Sequence, residues 1–326
     1  MINTSKSERH PPRVLFFGMQ SDFSTPALTH LLESGIEICA VVMPASPIPG
    51  VNQPTIQRRE PPQARHKALP LLNASLHPSI TQIAWKQHIP VWEVHRLSHN
   101  EAISILASYQ PDVICVACFS QILPRAIIEL PRLACLNVHP ALLPANRGPV
   151  PLFWTFREGH STTGVTIHLM NEKMDSGAIL AQEAIEVVDG MRYELLEEQC
   201  AERGGVLLAR TVWDLYEGRV TPMSQDETKS SYHSFPTDED FVVYANAWSA
   251  RHVYNFIRGI GHWDRPIELH VDSAHFLIRD AISYSHNEEL DENKAYHWIG
   301  NELVVRCRVG WVRVMPLEPP QPRLFA

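Results

Sequence analysis

Apolar residues arrive in two alternating patterns, short unbroken runs and stripes at helical spacing. RVLFFG (13–18) is a continuous apolar run closed by glycine, the signature of a strand buried on both faces. SDFSTPALTHLLESG then turns helical: Ser24 or Thr25 is placed to cap it, Pro26 suits its first turn and Gly35 its end. IEICAVVM (36–43) is a second buried run, so the chain opens as a β–α–β unit, which predicts an open α/β sheet. Further on, SITQIAWKQH (79–88) reads as a helix and IPVWEV as a strand. SHNEAISILASYQ reads as a helix with a capping box of Ser98 and Glu101, and DVICVACF and ACLNVH as further strands.

The same alternation continues with a short helix in VPLFWTFREG (150–159), a strand in TGVTIHLM (163–170), a turn at NEKMDSG, a strand in AILAQEAIEV and a long helix over 191–218. Residues 221–240 are polar and without period. After a helix in SARHVYNFIRGI come short strands only: IELHV, HFLIRDAISY, YHWIG, ELVVRC and GWVRVMPL. A chain of 326 residues with this succession predicts a two-domain protein: an open, mostly parallel, doubly wound sheet over 12–220, a linker over 221–236 and a smaller β-barrel-like domain over 237–326. The stretch from 44 to 78 is dense in proline, has no period and reads as a long loop. It gathers Arg58, Arg59, Arg65 and Lys67, either as a solvated surface or as a substrate-facing flap with affinity for phosphate.

Composition narrows the field. Hydrophobic residues make up 44% and charged ones 20%, as in ordinary soluble domains, and the net charge of −8 gives no global attraction to nucleic acid. The N-terminal MINTSKSERHPP has no apolar core of a secretion signal, and no apolar run approaches a membrane span, so a cytoplasmic protein without membrane association is expected. The turn after the first strand, GMQSDFS, lacks the G-x-G-x-x-G of a dinucleotide site. Cys115 and Cys118 form a C-x-x-C inside a strand pattern. With no second pair, they read as buried thiols along with the other cysteines, and no metal is expected.

The polar exceptions carry the chemistry. Asn137 and His139 stand two apart at the end of a buried strand, and residues i and i+2 share a face. Asp175 lies in the turn after a later strand, where α/β folds collect functional groups, with Gly177 nearby to let backbone approach a ligand. An amide donor, an imidazole able to exchange a proton near neutrality and a carboxylate to orient it suit stabilisation of a developing oxyanion. His168 reads as a sheet-face or core histidine. No serine or cysteine sits in a nucleophile elbow, which favours direct transfer over a covalent enzyme intermediate.

NVHPALLPANRGPVPLFW followed by TGVTIHLMNEKMDSGAILAQE resembles the formyltransferases that use 10-formyltetrahydrofolate, whose pattern is N-x-H-x-S-L-L-P-x-x-x-G, then T-G-x-T, then D-x-G. The likeness runs from RVLFFG to GWVRVMPLEP, and its arrangement is most similar to the branch that acts on Met-tRNA. The resemblance implies a formyltransferase-like Rossmann variant with catalytic Asn137, His139 and Asp175. It implies a folate pocket lined by Phe119, Ser120, Gln121, Ile122, Leu123, Leu143 and Pro144. It places Leu142, Arg147 and Gly148 with them on the loop where donor and acceptor meet, and Thr163 and Gly164 on the turn before the next strand. An acceptor amine would attack the formyl carbon on N10 of the folate, a co-substrate; Asn137 and His139 would stabilise the oxyanion while Asp175 holds and charges His139.

Three departures keep the acceptor open. Ala141 stands where the family pattern has serine, removing a hydroxyl from the site's edge. The insertion after the second strand is longer, richer in proline and only modestly basic. From 222 to 326 there are 10 Lys and Arg against 15 Asp and Glu, unlike a domain that tracks a phosphate backbone. The acceptor is therefore Met-tRNA or a small amine such as a nucleotide-linked amino sugar; water as acceptor would make the protein a 10-formyltetrahydrofolate hydrolase. A folate- or RNA-binding module with a lapsed site is the non-enzymatic alternative.

Overall fold

The computed structural model describes residues 10–46, 53–62, 78–286 and 294–318. The opening pattern forms β1 (Arg13–Gly18), α1 (Ser24–Glu33) and β2 (Glu37–Pro44), followed by β3 (Ile56–Arg58), α2 (Ile80–Lys86), β4 (Val91–Val94), α3 (Asn100–Ala107), β5 (Val113–Ala117), α4 (Arg125–Ile128) and β6 (Ala134–His139). Then come α5 (Pro151–Arg157), β7 (Thr162–Leu169), β8 (Ile179–Glu186) and α6 (Tyr193–Tyr216). The first eight strands make one sheet in the order β3-β4-β2-β1-β5-β6-β7-β8. Pairs β2–β4, β1–β2, β1–β5 and β5–β6 are parallel, while β3–β4 and β6–β7 are antiparallel.

β1 is bonded on both edges, and Val14, Leu15, Phe16 and Phe17 are fully buried at 0% exposure. Burying each of the larger of these side chains contributes roughly 1.5–3 kcal/mol, which is why an unbroken apolar run becomes a central strand. Strand order reverses between β1 and β5, so the chain leaves a crevice beyond their carboxyl ends. Ser24 ties this edge together rather than capping α1. Its buried hydroxyl donates to the Ala117 carbonyl at 2.7 Å and accepts from the Met19 N–H at 3.0 Å, and Phe23 takes the N-cap position without a side-chain cap.

Other local expectations are also corrected. Residues 44–78 are not an uninterrupted loop, because Ile56–Arg58 pairs antiparallel with β4 at the sheet edge. α3 is capped by His99, whose Nδ1 accepts from the Glu101 N–H at 3.4 Å, and not by Ser98. α2 carries the reciprocal box instead, between Ser79 and Gln82. Cys39, Cys115, Cys135, Cys200 and Cys307 are buried, and burial pushes the Cys39 thiol up to about 11 and Cys200 to about 12, so both stay protonated. Cys118 is exposed, because β5 ends at Ala117 and the chain turns away through a left-handed conformation, φ 56°.

The smaller sheet at the C-terminal end is built from β9 (Val242–Tyr244), β10 (Ile267–Val271), β11 (Ala274–Ser285), β12 (Tyr296–Ile299), β13 (Glu302–Arg306) and β14 (Trp311–Pro316), in the order β12-β13-β14-β11-β10-β9. The helix α7 (Ala250–Ile260) buries Val253, Phe256, Ile257 and Ile260. His252 on α7 stacks on Trp248 at 3.9 Å and donates from Nε2 to the Arg157 carbonyl of α5 at 3.0 Å.

Two compact units interleave along the chain. One takes the chain up to Arg147, then Gly164–Ala184 and Glu197–Ser230; the other takes Gly148–Thr163, Ile185–Leu196 and the chain from Ser231. Residues read as the start of a linker thus lie within the first unit, where Met223 exchanges two 2.8 Å backbone hydrogen bonds with Ile179. No helix among the described residues is long and apolar enough to cross a membrane.

Gly164 tests the packing of β7. A Cβ there would lie 2.3 Å from the Glu183 carbonyl oxygen and 2.5 Å from Leu142 Cδ2. Gly164→Ala is expected to destabilise the protein by about 1–3 kcal/mol, read as a lower midpoint in urea denaturation.

Candidate active site

Asn137 and His139 leave β6 on one face, as their spacing requires. Antiparallel pairing with β7 sets His168 directly opposite Asn137 and Thr166 opposite His139. The turn after β7 brings in Asp175. Its carboxylate sits between two imidazoles, with Oδ2 at 3.7 Å from His139 Nδ1 and Oδ1 at 3.6 Å from His168 Nε2.

Hydrogen bonds fix the tautomers. His168 Nδ1 lies 2.9 Å from the Leu169 carbonyl and donates to it, so its neutral Nε2 accepts from the Asn137 amide at 3.1 Å. That contact orients Asn137 with nitrogen toward His168. His139 Nε2 donates to the Asn146 carbonyl at 2.8 Å, leaving Nδ1 to face Asp175. His139 is 3% exposed. Burial lowers its pKa below the ordinary 6.5, the Asp175 charge pulls it back up and His168 adds to the lowering. The resting ring is therefore neutral at pH 7, with a counter-charge waiting beside the nitrogen that would take a proton.

The loop after β6 is held from beneath. Thr166 Oγ1 donates to the Ala141 carbonyl at 2.6 Å and accepts from the Leu143 N–H at 3.2 Å, and Gln182 Nε2 donates to the Leu143 carbonyl at 2.7 Å. Ala141 is 1% exposed, so this position is a packed interior one rather than a site edge short of a hydroxyl. The Leu143–Pro144 peptide is cis, and Asn146 has φ 56°. Arg147 is buried and directs its guanidinium to Gln225, at 3.1 and 2.8 Å, and to Glu227, at 2.9 and 2.9 Å. Gly148 is packed so closely against the His233 carbonyl that a Cβ would lie 2.0 Å from it.

The other expected positions divide. The segment 119–123 follows β5: Phe119 packs edge-on against Phe17 at 5.3 Å, Gln121 donates to the Val94 carbonyl at 2.7 Å, Ser120 is exposed and Leu123 is buried. Ile122 stands 83% exposed. Arg58 pairs with Glu60 at 3.1 Å and Arg59 with Glu93 at 2.6 Å. Arg59 and Glu93 line a cavity of ≈ 420 Å³ with Gln20, Gln57, Met43 and His95. Arg65 and Lys67 lie outside the described residues. Among the described residues no group of three or more His, Cys, Asp or Glu is placed to hold a metal ion.

Sequence reasoning passed over His168 and Gln225. The alternation in TGVTIHLM does put Thr166 and His168 on one face, but the register against β6 is set across the intervening segment 140–161. Gln225 lies in a stretch without period and left no local signal.

An amide and two imidazoles on neighbouring strands, with a carboxylate returned to them by the following turn, suit group transfer, and kinship makes the class specific: one-carbon transfer. The chain belongs to the Formyl transferase family, whose model matches residues 13–212. It is a folate-dependent formyltransferase, moving a formyl group from a folate-derived donor to an amine. It is 32% identical over 252 residues to the methionyl-tRNA formyltransferase of Geobacillus sp. (strain WCH70), covering 77% of this chain and 72% of that one. It is 31% identical over 284 residues to the methionyl-tRNA formyltransferase of Clostridium perfringens (strain 13 / Type A), covering 86% and 82%. The solved N-formyltransferase of Helicobacter canadensis, in complex with folinic acid and dTDP-3-aminofucose, shares the fold with a TM-score of 0.63 at 14% identity, covering 93% of this chain and 98% of that one.

The His139 ring is expected to titrate below 6.5 by proton NMR, and Asp175→Asn to lower it further by removing the charge that favours the imidazolium. Since the folded-state value lies below the unfolded one, this group's share of stability is intact above about 6.5 and is lost as pH falls toward the folded value.

Proposed function

We propose that the acceptor is the methionyl amino group of initiator Met-tRNA, and that Asn137, His139 and Asp175 carry the transfer. The observation that carries the acceptor is the extent of the likeness to methionyl-tRNA formyltransferases, which reaches 284 residues, more than the segment 13–212 spans. The likeness to an amino-sugar enzyme at 14% identity speaks for the fold alone.

The bound donor supplies an activated formyl group on N10. Segment 119–123, with the exposed Ile122, together with Leu143 and Pro144 forms the wall against which its ring system would rest. The Asn137 amide, oriented by His168, presents its second N–H toward developing negative charge. His139, held by the Nε2 hydrogen bond to the Asn146 carbonyl, receives the amine's proton at Nδ1, where Asp175 Oδ2 stabilises the cation, and returns it to N10 as the bond from the formyl carbon to N10 breaks, releasing tetrahydrofolate and the formylated amine.

A second reading has one observation in its favour. Arg58 and Arg59 are each already paired with a carboxylate, and Arg59 and Glu93 border a half-open pocket of ≈ 420 Å³ with a mixed polar and apolar lining. A small phosphate-bearing amine, such as a nucleotide-linked amino sugar, fits that setting.

Purified protein with 10-formyltetrahydrofolate is expected to formylate charged initiator Met-tRNA. Asp175→Asn is expected to lower kcat by about 10²–10³-fold while leaving folate affinity within a few-fold. Formylation of an amino-sugar nucleotide but not of Met-tRNA would replace the acceptor, and formate release without any acceptor would make the reaction hydrolysis.

A further inference from the structure

Gln225 sits in the segment after α6, in the same compact unit as the catalytic candidates. Its Nε2 donates at 2.7 Å to the carbonyl of Asp175 and at 2.7 Å to the carbonyl of Gly177. Its Oε1 accepts from Arg147 Nε and Nη2, at 3.1 and 2.8 Å. A glutamine amide has two donor hydrogens and two acceptor lone pairs, and all four are used here. The orientation is therefore fixed, because turning the amide over would set its oxygen against two carbonyls and its nitrogen against a guanidinium.

The groups so joined are the two arms of the site. On one side is the backbone around Asp175, whose carboxylate lies between His139 and His168. On the other is Arg147, the residue after Asn146, whose carbonyl takes the His139 Nε2 proton. Asp175 and Asn146 both hold left-handed backbone, φ 52° and 56°, a conformation open to Asp and Asn that turns the chain sharply at each point. Arg147 is in turn braced by both oxygens of Glu227.

The geometry points to Gln225 as a positioning residue for formyl transfer: it holds the Asp175 turn and the Asn146–Arg147 loop at the separation that leaves His139 between a carboxylate and a carbonyl. Arg147 in this arrangement anchors the site and does not bind the acceptor. The inference rests on the catalytic reading of His139 and Asp175, and it is independent of which amine is formylated.

Two variants separate positioning from general folding. Gln225→Met keeps the shape and removes every hydrogen bond. Gln225→Glu keeps an oxygen for Arg147 but turns the donors into a carboxylate facing two carbonyls. Both are expected to lower kcat about 10–100-fold with each KM within about threefold, measured well below the melting temperature. The second readout needs no turnover. His139 faces Asp175 and His168, so loosening the Asp175 turn is expected to move its NMR titration further below that of the wild type. Should Gln225→Met fail to fold, Gln225→Glu decides alone. A folded variant with wild-type kcat and an unmoved His139 titration would overturn the proposal. A moved titration in a protein that does not formylate Met-tRNA would leave it standing and remove the acceptor assignment instead.

Discussion

Everything at the site is arranged around one half-buried carboxylate set between two imidazoles. One Asp175 oxygen lies 3.7 Å from His139 Nδ1 and the other 3.6 Å from His168 Nε2, so the charge stands beside the nitrogen of His139 that would take a proton. The two rings are 6.3 Å apart and nearly perpendicular, each presenting one nitrogen to a different carboxylate oxygen. Strand pairing imposes this arrangement. Antiparallel β6–β7 register sets position 137 against 168, and the turn that follows has only to bring one side chain back over the pair.

The parallel centre of the sheet supplies rigidity, and the antiparallel flank supplies the polar groups. Beyond Arg13 at its start, β1 is a buried run, as is β5. β6 is the strand where apolar and polar positions alternate: Leu136 and Val138 enter the core while Asn137 and His139 turn to the other face. The loop beyond is pinned from β7 and β8 by Thr166 and Gln182, which explains how an alanine at 141 is accommodated.

What was legible in the sequence was whatever a local period can encode. The unbroken runs of β1, β2 and β5 gave the sheet, and the i, i+2 spacing of Asn137 and His139 gave their shared face. β3 was hidden because three residues in a proline-rich stretch carry too short a pattern. Ser24 looked like a cap because its type suits one, but a buried carbonyl on β5 outcompeted the helix for its hydroxyl. His168 and Gln225 act through contacts 31 and 50 residues away in sequence, which no window of local pattern contains. The resemblance placed Arg147 on the loop where donor and acceptor meet; that its guanidinium is engaged by Gln225 and Glu227 is a fact only tertiary structure holds.

The left-handed backbone at position 175 has a consequence for how the site tolerates change. That conformation comes most easily to Gly, Asn and Asp and costs longer side chains somewhat more, although Gln110 adopts it at φ 48°. The carboxylate stands between two imidazoles, so two independent filters, one of charge and one of backbone shape, overlap best on aspartate. Glutamate, the nearest chemical substitute, passes the first and meets a conformational cost at the second. Drift at this position is therefore resisted in the direction that charge conservation would suggest, while the neutral amide keeps the turn and gives up the charge.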